Sequence, residues 1–261
     1  MVCLKALESM EVEALRRSAW PSPLGILQLA NAPFLTPGFV NSAETWGVEI
    51  LTRQVAGAFV SRIVAQDPGI EAGYVAAAKE LEARGAALIL SNCGLTVLYQ
   101  GAIADAVEVP VLTSSLLALP ALQRQIPMRW SIGVLTYDKD LCNARLFDLI
   151  GADRAGLLVE GLNGSESYDR LAQAESPCDW PVLERDLMAA VDRLVAGAKS
   201  LSAILVECTT FCPLVDRIRQ RTGLPVFDFV WFVKAHLVAY AADGSNRDGA
   251  GRSEHQSGAG D

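Results

Sequence analysis

"LILSNCGLTVLYQ", residues 88–100, decides the fold: an apolar run breaks at a small polar turn holding Cys93, then resumes with helical spacing. The design returns as "AILVECTTFCPLV", residues 203–215, around Cys208. A short unbroken apolar run bounded by turn residues suits a strand buried on both faces, as in a parallel sheet. The match extends outward: Ala87 and Ser202 each stand six positions before their cysteine, and Pro110 and Pro225 each stand seventeen after it. Each copy runs helix, apolar strand, cysteine turn, helix, proline and a further strand. The copies lie 115 residues apart, a domain-sized offset.

The flanking segments keep the alternation. Residues 69–85 and 180–200 have helical spacing, the first stopping at Gly85, while "LGILQL" (24–29) and "RWSIGVLTYD" (129–138) are buried strands that open the two halves. The expected fold is α/β: two pseudo-symmetric domains, each a parallel sheet flanked by helices. The first half is expected over 22–115 plus 225–242 and the second over 116–224. Residues 1 to about 20 read as a polar leader or an added helix, and 243–261 as a disordered tail rich in Gly, Ser and charge. A long loop, "ANAPFLTPGFVNSAETWG", follows the first strand, and loops of that length are often functional.

Composition excludes several classes. A net charge of −8 leaves no basic excess for a nucleic acid partner. Six cysteines in 261 residues are too sparse for a disulfide scaffold. No signal peptide and no apolar run of membrane-spanning length is visible, so a cytoplasmic location with reduced thiols, and no membrane partner, is expected. Neither GxGxxG nor GxxxxGK[ST] occurs, and the two histidines, His236 and His255, have no serine-hydrolase setting.

In open parallel sheets ligands gather beyond the carboxyl ends of the strands, where Cys93 and Cys208 both fall. Each precedes a helix start, whose N–H groups and dipole are expected to pull the thiol below its free value of about 8.5 and to seat a carboxylate. Two such cysteines facing one carbon could remove a proton from one side and return it from the other. The resulting carbanion needs preorganised donors, for which Asn92, Gly94, Thr209 and Thr210 are placed, with Ser114 and Ser115 ending the next strand. Phe34, Phe39, Trp46, Tyr99 and Phe211 offer either an apolar wall or core. An isolated buried cysteine is more often a small hydrophobe than a catalyst; the matched placement is what lifts Cys93 and Cys208 above that. Cys212 is read as packing near or tuning Cys208; Cys3, Cys142 and Cys178 are read as incidental. Glu207 is either a strand end or an opponent of thiolate formation.

At these residues a resemblance enters. "SNCGLT", "LVECTTF" and the early loop "GILQLANAPFLTPGFVNSAETW" resemble the aspartate/glutamate racemase superfamily over roughly residues 22–240. That group includes amino-acid and hydantoin racemases, maleate isomerase, arylmalonate decarboxylase and dimethylsulfoniopropionate lyases. The resemblance implies an active site in the cleft between the halves, catalysis by Cys93 and Cys208 without metal or cofactor, Asn31 in the early loop among the binding residues, and a homodimer. The chain departs from the amino-acid racemases, however. Thr210 and Phe211 follow Cys208-Thr209 where glutamate racemases carry a His and aspartate racemases a Glu, and the early aspartate of glutamate racemases has no counterpart. These departures weigh against an amino-acid substrate.

The leading expectation is a cofactor-independent racemase or epimerase of a small carboxylate. The same carbanion would instead expel a leaving group one carbon further on in a lyase, or arise by loss of CO2 in a decarboxylase. A non-catalytic small-acid binding protein is the rival from another class.

Overall fold

The computed structural model describes residues 23–31, 34–175 and 179–244. The leader, the tail from residue 245, Cys3, Cys178 and His255 lie outside the described residues. Ser22–Phe232 makes one compact unit. The other unit is described only over residues 233–244, within the helix Phe229–Gly244.

The compact unit holds two four-stranded parallel sheets. Strands β1 (Leu24–Gln28), β2 (Ile50–Gln54), β3 (Leu88–Ser91) and β4 (Val111–Leu112) form the order β2-β1-β3-β4. Strands β5 (Ser131–Thr136), β6 (Leu157–Gly161), β7 (Leu201–Val206) and β8 (Val226–Phe227) repeat it as β6-β5-β7-β8. The register repeats too. Gly25 pairs with Ile89 in the first sheet, and Gly133 with Ile204 in the second. Both glycines let a helix approach the sheet closely: a Cβ at residue 25 would stand 2.9 Å from Ala86 and 3.3 Å from Leu81, and one at residue 133 would stand 2.6 Å from Leu194.

The cysteine strands are buried, as continuous apolar runs require; every residue of β3 is buried. Helix Trp180–Gly197 starts at Asp179, whose carboxylate accepts the Val182 N–H, with Pro181 in the first turn. It buries Leu183, Leu187, Ala190, Val191 and Leu194, the three-and-four spacing of one helix face.

Two elements depart from the expectation. β2, unassigned in the sequence, is an edge strand whose half-exposed "ILTRQ" lacks an apolar run. β8, expected with the first half, pairs with β7 in the second sheet. The repeat itself explains this, since Pro110 and Pro225 each lead into the strand beside their own cysteine strand. No helix among the described residues is long and apolar enough to cross a membrane.

Candidate active site

The two cysteine turns line one cavity, with an empty volume of ≈ 880 Å³ counting its open mouth. Cys93 and Cys208 have extended backbones at the ends of β3 and β7. Each leads into a six-residue 3-10 helix, Gly94–Tyr99 or Thr209–Leu214, before a short α-helix begins. The direct turn into an α-helix read from the spacing is thus replaced by a tighter start.

Contacts between the halves hold the turns together. The Thr209 hydroxyl donates to the Asn92 carbonyl, joining one turn to the other. The Ser115 hydroxyl donates to the Val206 carbonyl at 2.7 Å. The Asn31 amide donates to the Gln173 carbonyl at 2.9 Å while its Oδ1 accepts the Val60 N–H at 3.0 Å. Gly94 abuts Glu207 so closely that a Cβ there would lie 2.2 Å from the Glu207 carbonyl oxygen and 2.3 Å from its Oε1. Only glycine fits, and the reason is close approach rather than backbone conformation.

Of the residues singled out in the sequence, Cys93, Cys208, Asn31, Asn92, Gly94, Thr209 and Thr210 line the cavity. Ser114 and Ser115 are fully buried outside its lining: Ser114 Oγ caps the Leu116 N–H at 3.2 Å, and Ser115 bridges to β7. Asn31 lies in the wall, but both ends of its amide are committed to structure. Phe34 and Phe39 form an apolar wall with Val60, Ile63 and Val64. Trp180 packs behind them, its ring 5.3 Å from Phe39 and 6.3 Å from Phe34. Trp46, Tyr99 and Phe211 are buried away from the lining, as is Cys212. Asn41, Tyr137 and Gln173 line the cavity without having been foreseen. They come from loops and strand ends, where no periodicity marks an inward side chain.

The electrostatics reverse one expectation. N–H groups of Leu95 and Thr96 reach the Cys93 thiol, and the N–H and hydroxyl of Thr210 reach Cys208, each favouring thiolate as foreseen. Burial and the nearby Glu207 carboxylate outweigh them. Cys93 is pushed up to about 12, and Cys208 is raised well above an ordinary thiol by the same two causes. Glu207 itself is 1 % exposed. Burial raises its carboxyl to about 7, against the Thr136 hydroxyl, which donates at 2.6 Å, and the Tyr137 N–H. Among the described residues the lining contains no lysine, arginine or histidine, and Glu207 is its only carboxylate. Among the described residues no His/Cys/Asp/Glu cluster is arranged to hold a metal.

No family model matches the chain. Dimethylsulfoniopropionate lyase 5 of Emiliania huxleyi is 30% identical over 191 residues, 66% of this chain and 38% of that protein. A dimethylsulfoniopropionate lyase of Durusdinium sp. clade D is 26% identical over 216 residues, 79% of this chain and 71% of that one. The chain thus spans well under half of the first relative's length. Among solved structures, allantoin racemase from Klebsiella pneumoniae superposes with a TM-score of 0.57 at 15% identity, covering 85% of this chain and 89% of that one. A glutamate racemase from Bacillus anthracis reaches 0.56 at 11% identity, covering 86% and 83%. Unliganded arylmalonate decarboxylase reaches 0.53 at 16%, covering 85% and 94%. These likenesses bear out the α/β fold with its paired sheets.

Proposed function

From the premise that this chain belongs by fold to the aspartate/glutamate racemase superfamily, we propose that it is a cofactor-independent enzyme of carbanion chemistry. It removes a proton beside a carboxylate and expels a leaving group from the next carbon. The carrying observation is that both strand-end cysteines line one cavity that has apolar and aromatic walls and, among the described residues, no basic side chain.

Neutral donors suit the substrate carboxylate: the N–H groups that open the two 3-10 helices, the Thr210 hydroxyl and the Asn92 amide. A thiolate of the cysteine pair takes the α-proton. The electron pair of that C–H bond becomes the new C=C bond, and the bond to the leaving group breaks with its electrons. With dimethylsulfoniopropionate the products are acrylate, dimethyl sulfide and a proton. The Phe34–Phe39 wall suits a methylated sulfonium, because a soft cation is attracted to aromatic faces. Among the described lining residues an α-ammonium group would find only Glu207 as a charged partner, which weighs against an amino acid. The curated relatives support the lyase reading over about two thirds of the chain.

Racemisation is the second reading, favoured by the presence of a cysteine on both strand ends. Proton NMR in D2O of the purified chain with dimethylsulfoniopropionate and a panel of 2-substituted acids separates the two. Acrylate and dimethyl sulfide, lost in Cys93→Ala or Cys208→Ala, is the expected result. Deuterium at the α-carbon without elimination would transfer the reading to a racemase. Inertness toward every compound would remove both.

A further inference from the structure

The repeat assigns equivalent places to Asn92 and Glu207, each the residue before its cysteine. They do the same structural work. Asn92 Oδ1 accepts the N–H of Leu29 just beyond β1, at 2.9 Å. Glu207 accepts the N–H of Tyr137 just beyond β5. An amide suffices for that task in the first half. The second half employs an acid, almost wholly buried, among the cavity-lining residues and pressed against Gly94 beside Cys93. No lysine, arginine or histidine pairs with it among the described residues. A buried carboxylate without a cation is costly, and a structural acceptor alone does not require one.

We propose that Glu207 is a positioning residue for the proton of the cysteine pair: Glu207, Cys93 and Cys208 share one negative charge, so that a thiolate forms only as the carboxylate takes up a proton. The exchange balances, one proton leaving sulfur and one joining a carboxylate oxygen, with the site's charge unchanged. The groups facing Glu207 are Cys93 on the opposite turn, Cys208 next in the chain, Cys142 after β5, and Thr136 and Tyr137 at the end of β5. Asp138 and Arg154 act on Cys142 with opposite sign. The buried carboxyl, at about 7, is the most acidic of the three sharing groups. Above that pH it holds the charge and keeps both sulfurs protonated. The inference deepens the carbanion reading, yet its test needs no turnover.

The test is iodoacetamide alkylation of the intact chain from pH 6 to 10, with Cys93 and Cys208 followed separately by peptide mass spectrometry. Thiolate fraction normally rises tenfold per pH unit below the thiol pKa. In the wild type the alkylation rate should climb to about pH 7 and then level, because the site has by then lost its one shared proton and the thiolate form stays a constant fraction of the singly charged site. Glu207→Gln keeps the acceptor for Tyr137 and should abolish the plateau, making the rate at pH 9 roughly 100-fold higher than wild type. Parallel, unbent profiles for the two proteins would overturn the proposal. Thr136→Val guards against misfolding of that variant. Losing the hydroxyl donor raises the carboxyl further, so the bend should move to higher pH; an unmoved bend would also overturn it. Loss of elimination activity with the alkylation bend intact would count against the function reading and leave the charge sharing standing.

Discussion

Replacing Gly94 by alanine tests the geometry on which the site depends. The new methyl would lie 2.2 Å from the Glu207 carbonyl oxygen and 2.3 Å from its Oε1, against an ordinary contact of 3.4–4 Å. The side-chain oxygen could swing aside; the carbonyl could not. Its peptide follows β7, where the Glu207 N–H donates to the Leu135 carbonyl at 2.8 Å, and the next turn is tied to Asn92 by Thr209. Relief therefore needs the two cysteine turns to part by about 1 Å, an overpacking that typically costs 1–3 kcal/mol. Weakening the Thr209–Asn92 hydrogen bond adds about 1 kcal/mol. The expected loss is about 3 kcal/mol in urea denaturation, at unchanged m-value, with the proposed elimination activity abolished because the two cysteine turns part. Gly101→Ala is the control: nothing lies within 4 Å of its Cβ, so it should be neutral or stabilising by up to about 1 kcal/mol. Gly94→Ala within about 0.5 kcal/mol of wild type, with activity kept, would refute the close approach of the turns.

Other outcomes follow from the same contacts. Thr209→Val removes the hydroxyl that joins the turns and should cost about 1–2 kcal/mol by denaturation, leaving the Asn92 carbonyl one donor short. Glu207, raised on folding from 4.5 to about 7, binds more protons folded than unfolded between those values. Stability should therefore fall as pH rises through that window, by about 3 kcal/mol in all. Glu207→Gln should flatten that loss in urea titrations at pH 5 and pH 8; an equal slope in both proteins would mean the carboxyl ionises normally. Gly133→Ala meets only the flexible tip of Leu194, at 2.6 Å, and should cost roughly 1–2 kcal/mol, less than Gly94→Ala.

The cysteine strands were legible because a parallel strand buried on both faces must be an unbroken apolar run, and the duplicated spacing to Pro110 and Pro225 made chance unconvincing. β2 was not, since an edge strand needs no such run. β8 is two residues long, too short to carry its own partner choice, and was grouped with the wrong half. The thiol chemistry was legible in its local part, the N–H groups at Leu95, Thr96 and Thr210. Its sign was not. That depends on apolar burial, and on a carboxylate brought to Cys93 from 114 positions away through a glycine whose only mark in the sequence is that it follows the cysteine. Asn41 and Gln173 reach the cavity from loops, where side-chain direction has no sequence period.

The two halves repeat a backbone and differ at the residues flanking the cysteines. Before them stand Asn92 and Glu207, each spent on the N–H just beyond the first strand of its half, Leu29 and Tyr137; after them stand Gly94 and Thr209. Each trailing residue meets the leading residue of the other half: Thr209 hydrogen-bonds Asn92, and Gly94 gives way to Glu207. Both crossings therefore join the same pair of turns, one by a donated proton and one by a missing side chain. A symmetric pair of amides would have held the turns equally well and left the thiols to titrate alone. Placing a carboxyl on one side ties both sulfurs to a single buried charge, and Gly94 is the space that the close approach of the Glu207 backbone requires. Glu207 and Gly94 are accordingly coupled positions: Glu207→Gln should change the thiols with the turns in place, whereas Gly94→Ala should part the turns with the carboxyl in place.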